Sequence, residues 1–135
     1  MMWDRVLTAL SAVANGDPVL LAIYAGAVRL AGTGKHRTPL LEYSLIGDAE
    51  GELWAPHTVQ WDQWTSELQP LLDSERRLRR LFHVELPSTF AGLTMWSVYA
   101  GGDVLAMPDR DGYYGRAIRF TCTPLRELYE APSSP

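Results

Sequence analysis

The chain is short of cysteine. Cys122 is the single thiol in 135 residues, so no internal disulfide can form and nothing requires an oxidising compartment. Long apolar runs are missing too, and none approaches the roughly 18 residues of a membrane span. Positive charge is in deficit: 12 Lys and Arg face 16 Asp and Glu, a net charge of -4. That balance argues against a protein that grips nucleic acid over a broad basic surface. It suits one that lets nucleic acid slide past an acidic, non-adhering wall. The first residues, Met1-Met2-Trp3-Asp4-Arg5, carry an early acid and lack the profile of a secretory leader. The expectation is a soluble intracellular product with no membrane contact.

Catalytic signatures are equally sparse. His36, His57 and His83 are scattered, whereas zinc ligands usually come in close pairs. There is no serine in a nucleophile-elbow setting and no Gly-rich dinucleotide fingerprint. Gly32-Thr33-Gly34-Lys35 resembles a phosphate loop, because backbone N–H groups and a lysine can cradle phosphate. The full pattern needs glycine at position 29 and Ser or Thr at 36, and these are Arg29 and His36. Asp109-Arg110-Asp111-Gly112 resembles the start of a calcium loop, but the later glutamate is absent and Tyr113-Tyr114 replaces ligands. Both stretches read as a loop and a turn. The chain is therefore expected to be no enzyme, with no catalytic residue, metal or cofactor. A monomeric ligand-binding domain or small enzyme using residues 32–38 is the competing reading from another class.

What is present is ordinary globular material: 47% hydrophobic and 21% charged residues, enough for one domain with a real core. Residues 1–130 are read as that domain and the polar residues 131–135 as a tail. Residues 3–14 place Trp3, Val6, Leu7, Leu10 and Val13 at helical intervals, and Asn15-Gly16 is a stop. Asp17-Pro18 restarts a short helix, Asp as N-cap and Pro at the first position, closed by Gly26. Residues 27–31 suit a short edge strand. Residues 40–46 alternate, with Leu41, Tyr43 and Leu45 opposed to Glu42 and Ser44. An acidic turn over residues 47–52 leads into a returning arm, with Pro56 marking a bulge or edge near its start.

The returning arm carries the clearest alternation. Val59, Trp61 and Gln63 face one way and Gln60, Asp62 and Trp64 the other. Thr65 or Ser66 then caps a helix in which Pro70 sits in the first turn. Leu68, Leu71, Leu72, Leu78, Leu81 and Phe82 form its apolar side. Pro87-Ser88 reads as a break. Residues 92–100 read as a strand covered on both faces, Gly101-Gly102 as a turn, and 104–107 as a further short strand or loop. Residues 114–124 form the last strand, with Ile118, Phe120 and Cys122 inward and Arg119 and Thr121 outward; one helical turn over 125–129 follows. The fold class is α+β: a small mixed or antiparallel sheet of about four to five strands against an N-terminal helix and one long central helix.

Arg76, Arg77, Arg79 and Arg80 spread over an arc of about 160° opposite the leucines. Four arginines in five positions repel unless something answers them, and Glu75, within the apolar stripe, can supply part of the answer. Trp61, Trp64 and Trp96 suit the core of a small sheet. Trp54, beside Pro56, is harder to bury in one copy and suits a subunit contact. Arg76, Arg77, Arg79, Arg80, Trp54, Asp48, Glu50 and Glu52 are the candidate interface residues, the basic helix face and the acidic turn meeting between neighbouring copies.

The order of elements, with "RLAGTG", "TPLLEYSLIG", "HTVQWDQW", "SELQPLLDSERRLRRLF" and "DGYYGRAIRFTCTPL", resembles the tail terminator, or tail completion, proteins of long-tailed bacteriophages. Val59-Gln60-Trp61-Asp62-Gln63-Trp64 and residues 116–121 carry most of the likeness, which extends over about residues 5–125. The Gly- and Lys-rich approach to Pro39 and residues 87–107 depart from the family pattern. The resemblance implies a virion protein that assembles into a hexameric ring. The ring caps the completed tail tube, stops its polymerisation and joins the neck of the head at the tail–neck junction. Its implied partners are its own copies, the tail tube protein and a neck or head completion protein, with DNA only as passing cargo through the lumen. A head–tail joining protein of the same phage type is the alternative.

Overall fold

The backbone of the β-hairpin that organises the chain is set by strict alternation over residues 57–65, where each odd-numbered residue is buried and each even one half-exposed. The computed structural model describes residues 2–25, 28–31, 39–47, 56–103 and 112–125. Three helices and six strands follow in the order α1 (Met2–Asn15), α2 (Pro18–Tyr24), β1 (Val28–Leu30), β2 (Leu40–Gly47), β3 (His57–Thr65), α3 (Leu68–Phe82), β4 (Ser88–Phe90), β5 (Leu93–Gly102) and β6 (Tyr114–Pro124). The six strands form one sheet in the order β1-β2-β3-β6-β5-β4. β1 runs parallel to β2, and the remaining neighbours are antiparallel. This is the α+β class expected, with six strands rather than four or five.

The added strand is β4. Its hairpin with β5 turns on Ala91 and Gly92, both at positive φ (48° and 92°), the geometry that joins two antiparallel strands through two residues. Alanine in the first of those positions hides the usual Asn-Gly or Asp-Gly signal, so Pro87-Ser88 reads as a plain break. Gly101-Gly102, expected as a turn, belongs to β5. The register slips between Tyr99 and Gly101, where φ of +108° marks a bulge, and Gly102 pairs with Ile118. A second slip lies between Leu45 and Gly47, opposite the start of β3, close to where Pro56 suggested one.

α1 and α3 cover one face of the sheet. Val6, Leu7, Leu10 and Ala14 of α1 and Leu78 and Phe82 of α3 meet Val59, Trp61, Met95, Ile118, Phe120 and Cys122 from the strands. Phe82 stacks on Trp61 at 5.2 Å and presents an edge to Phe120 at 6.0 Å. Its full burial stabilises the fold by about 2–3 kcal/mol. Burial pushes the Cys122 thiol up to about 11, which keeps it uncharged and unreactive.

Several local expectations hold. Asp17 is the N-cap of α2, its carboxylate accepting from the Leu20 N–H at 3.0 Å, with Pro18 at the first helical position. Others are corrected. Ala25, at φ 50°, takes the left-handed cap of α2; Gly26 lies outside the described residues. Thr65 remains in the ladder opposite Tyr114, and its hydroxyl donates to the Glu67 carbonyl. Glu67 therefore occupies the N-cap of α3, without a side-chain cap bond.

The apolar side of α3 is narrower than the leucines suggest. Leu71, Ser74, Leu78 and Phe82 are buried, while Leu68 and Leu72 stay 39% and 40% exposed. Among the described elements, helices cover one face of β5. Trp96 is 37% exposed, and it lies with Val98 on the helix-free face, so Trp96 is no core residue. The acidic turn, the loop over 32–38, residues 104–111 and residues 126–135 lie outside the described residues, with the expectations placed on them.

Candidate assembly surface

Helix α3 carries all four arginines, and the structure divides them by what each one meets. Arg77 turns toward α2. Its Nε donates to both carboxylate oxygens of Asp17, at 3.0 and 3.1 Å, and its Nη2 reaches Oδ1 at 2.5 Å. Asp17 is nearly inaccessible, 5% exposed. One carboxylate thus caps α2 and anchors α3, and the Arg77 guanidinium holds it below the usual carboxylate range. Next to it the Tyr24 and Ser74 hydroxyls share a buried hydrogen bond of 2.5 Å, with burial raising the phenol well above its usual value. Ser74 interrupts the leucine stripe because it faces Tyr24 rather than the apolar core.

Arg79 turns toward the sheet. Its guanidinium lies over the Tyr99 ring, 3.9 Å from the centroid, and its Nη1 is 3.8 Å from Glu75 Oε2. Glu75 also pairs with Arg116 of β6, whose Nη1 donates to the Asp103 carbonyl at 2.7 Å. Glu75 therefore answers positive charge inside the chain.

Arg76 and Arg80 point outward. Arg76 comes no closer than 3.9 Å to Asp73, with its side chain 78% exposed, an arrangement worth next to nothing in water. Arg80 has no ion-pair partner among the described residues. Both line an open groove of about 620 Å³ between α2 and α3, with Val19, Ala22 and Ile23 opposite them. Of the candidate interface residues, Arg76 and Arg80 are thus brought together and left available, while Arg77 and Arg79 are engaged within the chain. Trp54, Asp48, Glu50 and Glu52 lie outside the described residues.

The sheet face opposite α1 and α3 carries a polar network beside Trp64, Trp96 and Val98. Arg119 Nε donates to Gln60 Oε1 at 3.0 Å, Gln60 Nε2 donates to Asp62 Oδ1 at 3.0 Å, and Arg119 Nη2 meets Asp103 Oδ1 at 2.9 Å. Asp62 stands directly opposite Glu42, and its carboxyl is raised, first by burial and further by Glu42, against the Gln60 hydrogen bond. Trp64 lies across Gly115 on this face. A Cβ at Gly115 would come within 2.5 Å of the indole, so only glycine fits there. Sequence reasoning read Asp17 as a cap alone and gave Arg116 no partner. The available signal was an unpaired acid beside a helix start, too general to choose Arg77.

Among the described residues no group of three His, Cys, Asp or Glu side chains is placed to hold a metal ion. His57 is buried in β3, and His83 closes α3, its Nδ1 accepting from the Tyr99 N–H at 3.0 Å. No single described helix is long and apolar enough to cross a membrane.

Comparison with solved structures finds likenesses in fold. A chain from the virion of a native gene transfer agent particle superposes with a TM-score of 0.60 at 14% identity, over 88% of this chain and 96% of the other. The two share a fold. No family model and no curated protein matches the sequence.

Proposed function

We propose that this protein is a structural subunit of a phage-like virion, acting as a tail terminator. Copies assemble into a ring, six-fold on the resemblance to that family, which caps the tail tube, stops its polymerisation and joins the tail to the neck. The observation that carries the reading is the fold shared with a virion chain, extending over almost the whole of both chains. The arrangement of α3 supports it: two arginines beside a largely apolar groove are a surface without a close partner among the described residues. Its role is one of assembly rather than catalysis, with its own copies, the tube protein and a neck protein as partners. The net charge of -4 suits a lumen that DNA traverses without sticking.

The mass of the purified chain in solution, followed by electron microscopy with tail tubes, tests this. Six-fold rings seated at tube ends are the expected result. Monomers that leave tube ends bare and tube length uncontrolled would remove the reading. Rings bound at the head vertex but not at tubes would shift it to a head–tail joining protein.

A further inference from the structure

Along the outer ridge of α3, Leu68, Leu72, Arg76 and Arg80 follow one another at intervals of four residues. The first two are exposed leucines and the last two are arginines without a close partner among the described residues. Across the groove lie Val19, at 41% exposure, and Ile23. A surface that sets two guanidinium groups beside exposed aliphatic side chains fits a segment combining carboxylates with large apolar groups. Asp73 and Arg77 also line the groove, and Arg77 commits its Nε and Nη2 to Asp17.

We infer that this groove receives residues 48–54 of a neighbouring copy. Asp48, Glu50 and Glu52 would answer Arg76 and Arg80, while Leu53 and Trp54 cover the leucine end of the ridge and the groove floor. Charge selects this segment. Residues 47–56 hold three carboxylates and no basic residue, whereas residues 126–135 hold two carboxylates and Arg126. The segment leaves the sheet after Gly47 and returns at His57. A basic groove and an acidic segment are unlike surfaces, and a head-to-tail ring joins unlike surfaces of successive copies. This inference rests on the assembly reading above and specifies the contact between copies.

The test uses two variants of the full chain, R76E/R80E and E50R/E52R, each followed by sedimentation and electron microscopy under conditions where the wild type forms rings. Each alone is expected to lose at least tenfold in assembled fraction, because like charges then face each other. An equimolar mixture is expected to regain assembly, since the reversed segment of one meets the reversed groove of the other. Melting curves matching the wild type establish that both fold; R76Q/R80Q, which removes charge without reversing it, is the second variant if R76E/R80E does not. Wild-type assembly by R76E/R80E or R76Q/R80Q overturns the contact while leaving the ring reading intact. So does a mixture that stays dissociated. Loss of rings on deleting residues 126–135 and in R76E/R80E, with E50R/E52R unaffected, would give the groove to that segment instead and overturn the inference. A wild-type chain that remains monomeric, with and without tubes, overturns the assembly reading itself.

Discussion

Arg76 and Arg77 are adjacent in sequence, identical in chemistry and on the same helix, yet their surroundings give them opposite roles. Arg77 meets a carboxylate that is almost fully covered, so its removal would leave that charge without its cation. Arg76 faces a half-exposed Asp73 across 3.9 Å and shares it with solvent. The same division separates Arg79, held by Glu75 and Tyr99, from Arg80. Burial of the partner, rather than the arginine itself, decides which positive charge holds the fold and which remains free for another molecule.

The comparison is broken most strongly at Arg77. Arg77→Ala is expected to give the largest loss of stability of these variants, a fall in Tm of several degrees, measured by thermal and urea unfolding. The loss depends on pH with a definite sign. The folded-state value of Asp17 is lowered, so its contribution is present above the unfolded value of 3.8 and is lost as pH falls through the folded one. Wild type and Arg77→Ala should therefore converge in stability as the solution is acidified below about pH 4. A gap that persists unchanged into acid would assign the effect to packing of the arginine stem instead.

Removing Arg116 comes next. Arg116→Ala leaves Glu75, 16% exposed at its side chain, with only the 3.8 Å contact to Arg79, and should cost about 2 kcal/mol in urea unfolding. Arg79→Ala keeps the Glu75–Arg116 pair and loses the ring contact, for a smaller cost of about 1 kcal/mol. The double variant Arg76→Ala/Arg80→Ala should shift stability by less than about 0.5 kcal/mol. A loss comparable with that of Arg77→Ala would erase the distinction between the two pairs.

Much of the framework was legible from spacing. Alternation at Val59, Trp61 and Gln63 placed β3, and Asp17-Pro18 located the start of α2, because period-2 burial and capping are local properties. The misses have one physical source. β4 depends on a two-residue turn formed by Ala91 and Gly92 and on pairing with β5, neither visible in three residues of its own. Trp96 was read as core because its type favours burial, but the described helices lie on the other side of its strand. Leu68 and Leu72 have the right spacing for an apolar stripe, and their exposure follows from where α2 and the sheet leave α3 uncovered. For the candidate surface, the sequence identified the basic cluster and its unusual density. It could not rank the four members, since that ranking depends on Asp17, 60 residues from Arg77, and on Arg116, 41 residues from Glu75.

By itself the sequence determined the strand that runs into α3, the face each of its residues shows, the breaks between the first two helices and a basic patch on a net acidic chain. These follow from backbone geometry and side-chain polarity over a few residues. The tertiary structure alone decided the six-strand order, the groove between α2 and α3, and which arginines remain free. Each is a matter of which distant residue arrives beside which, and burial at that meeting point converts a repeated residue type into two different functions.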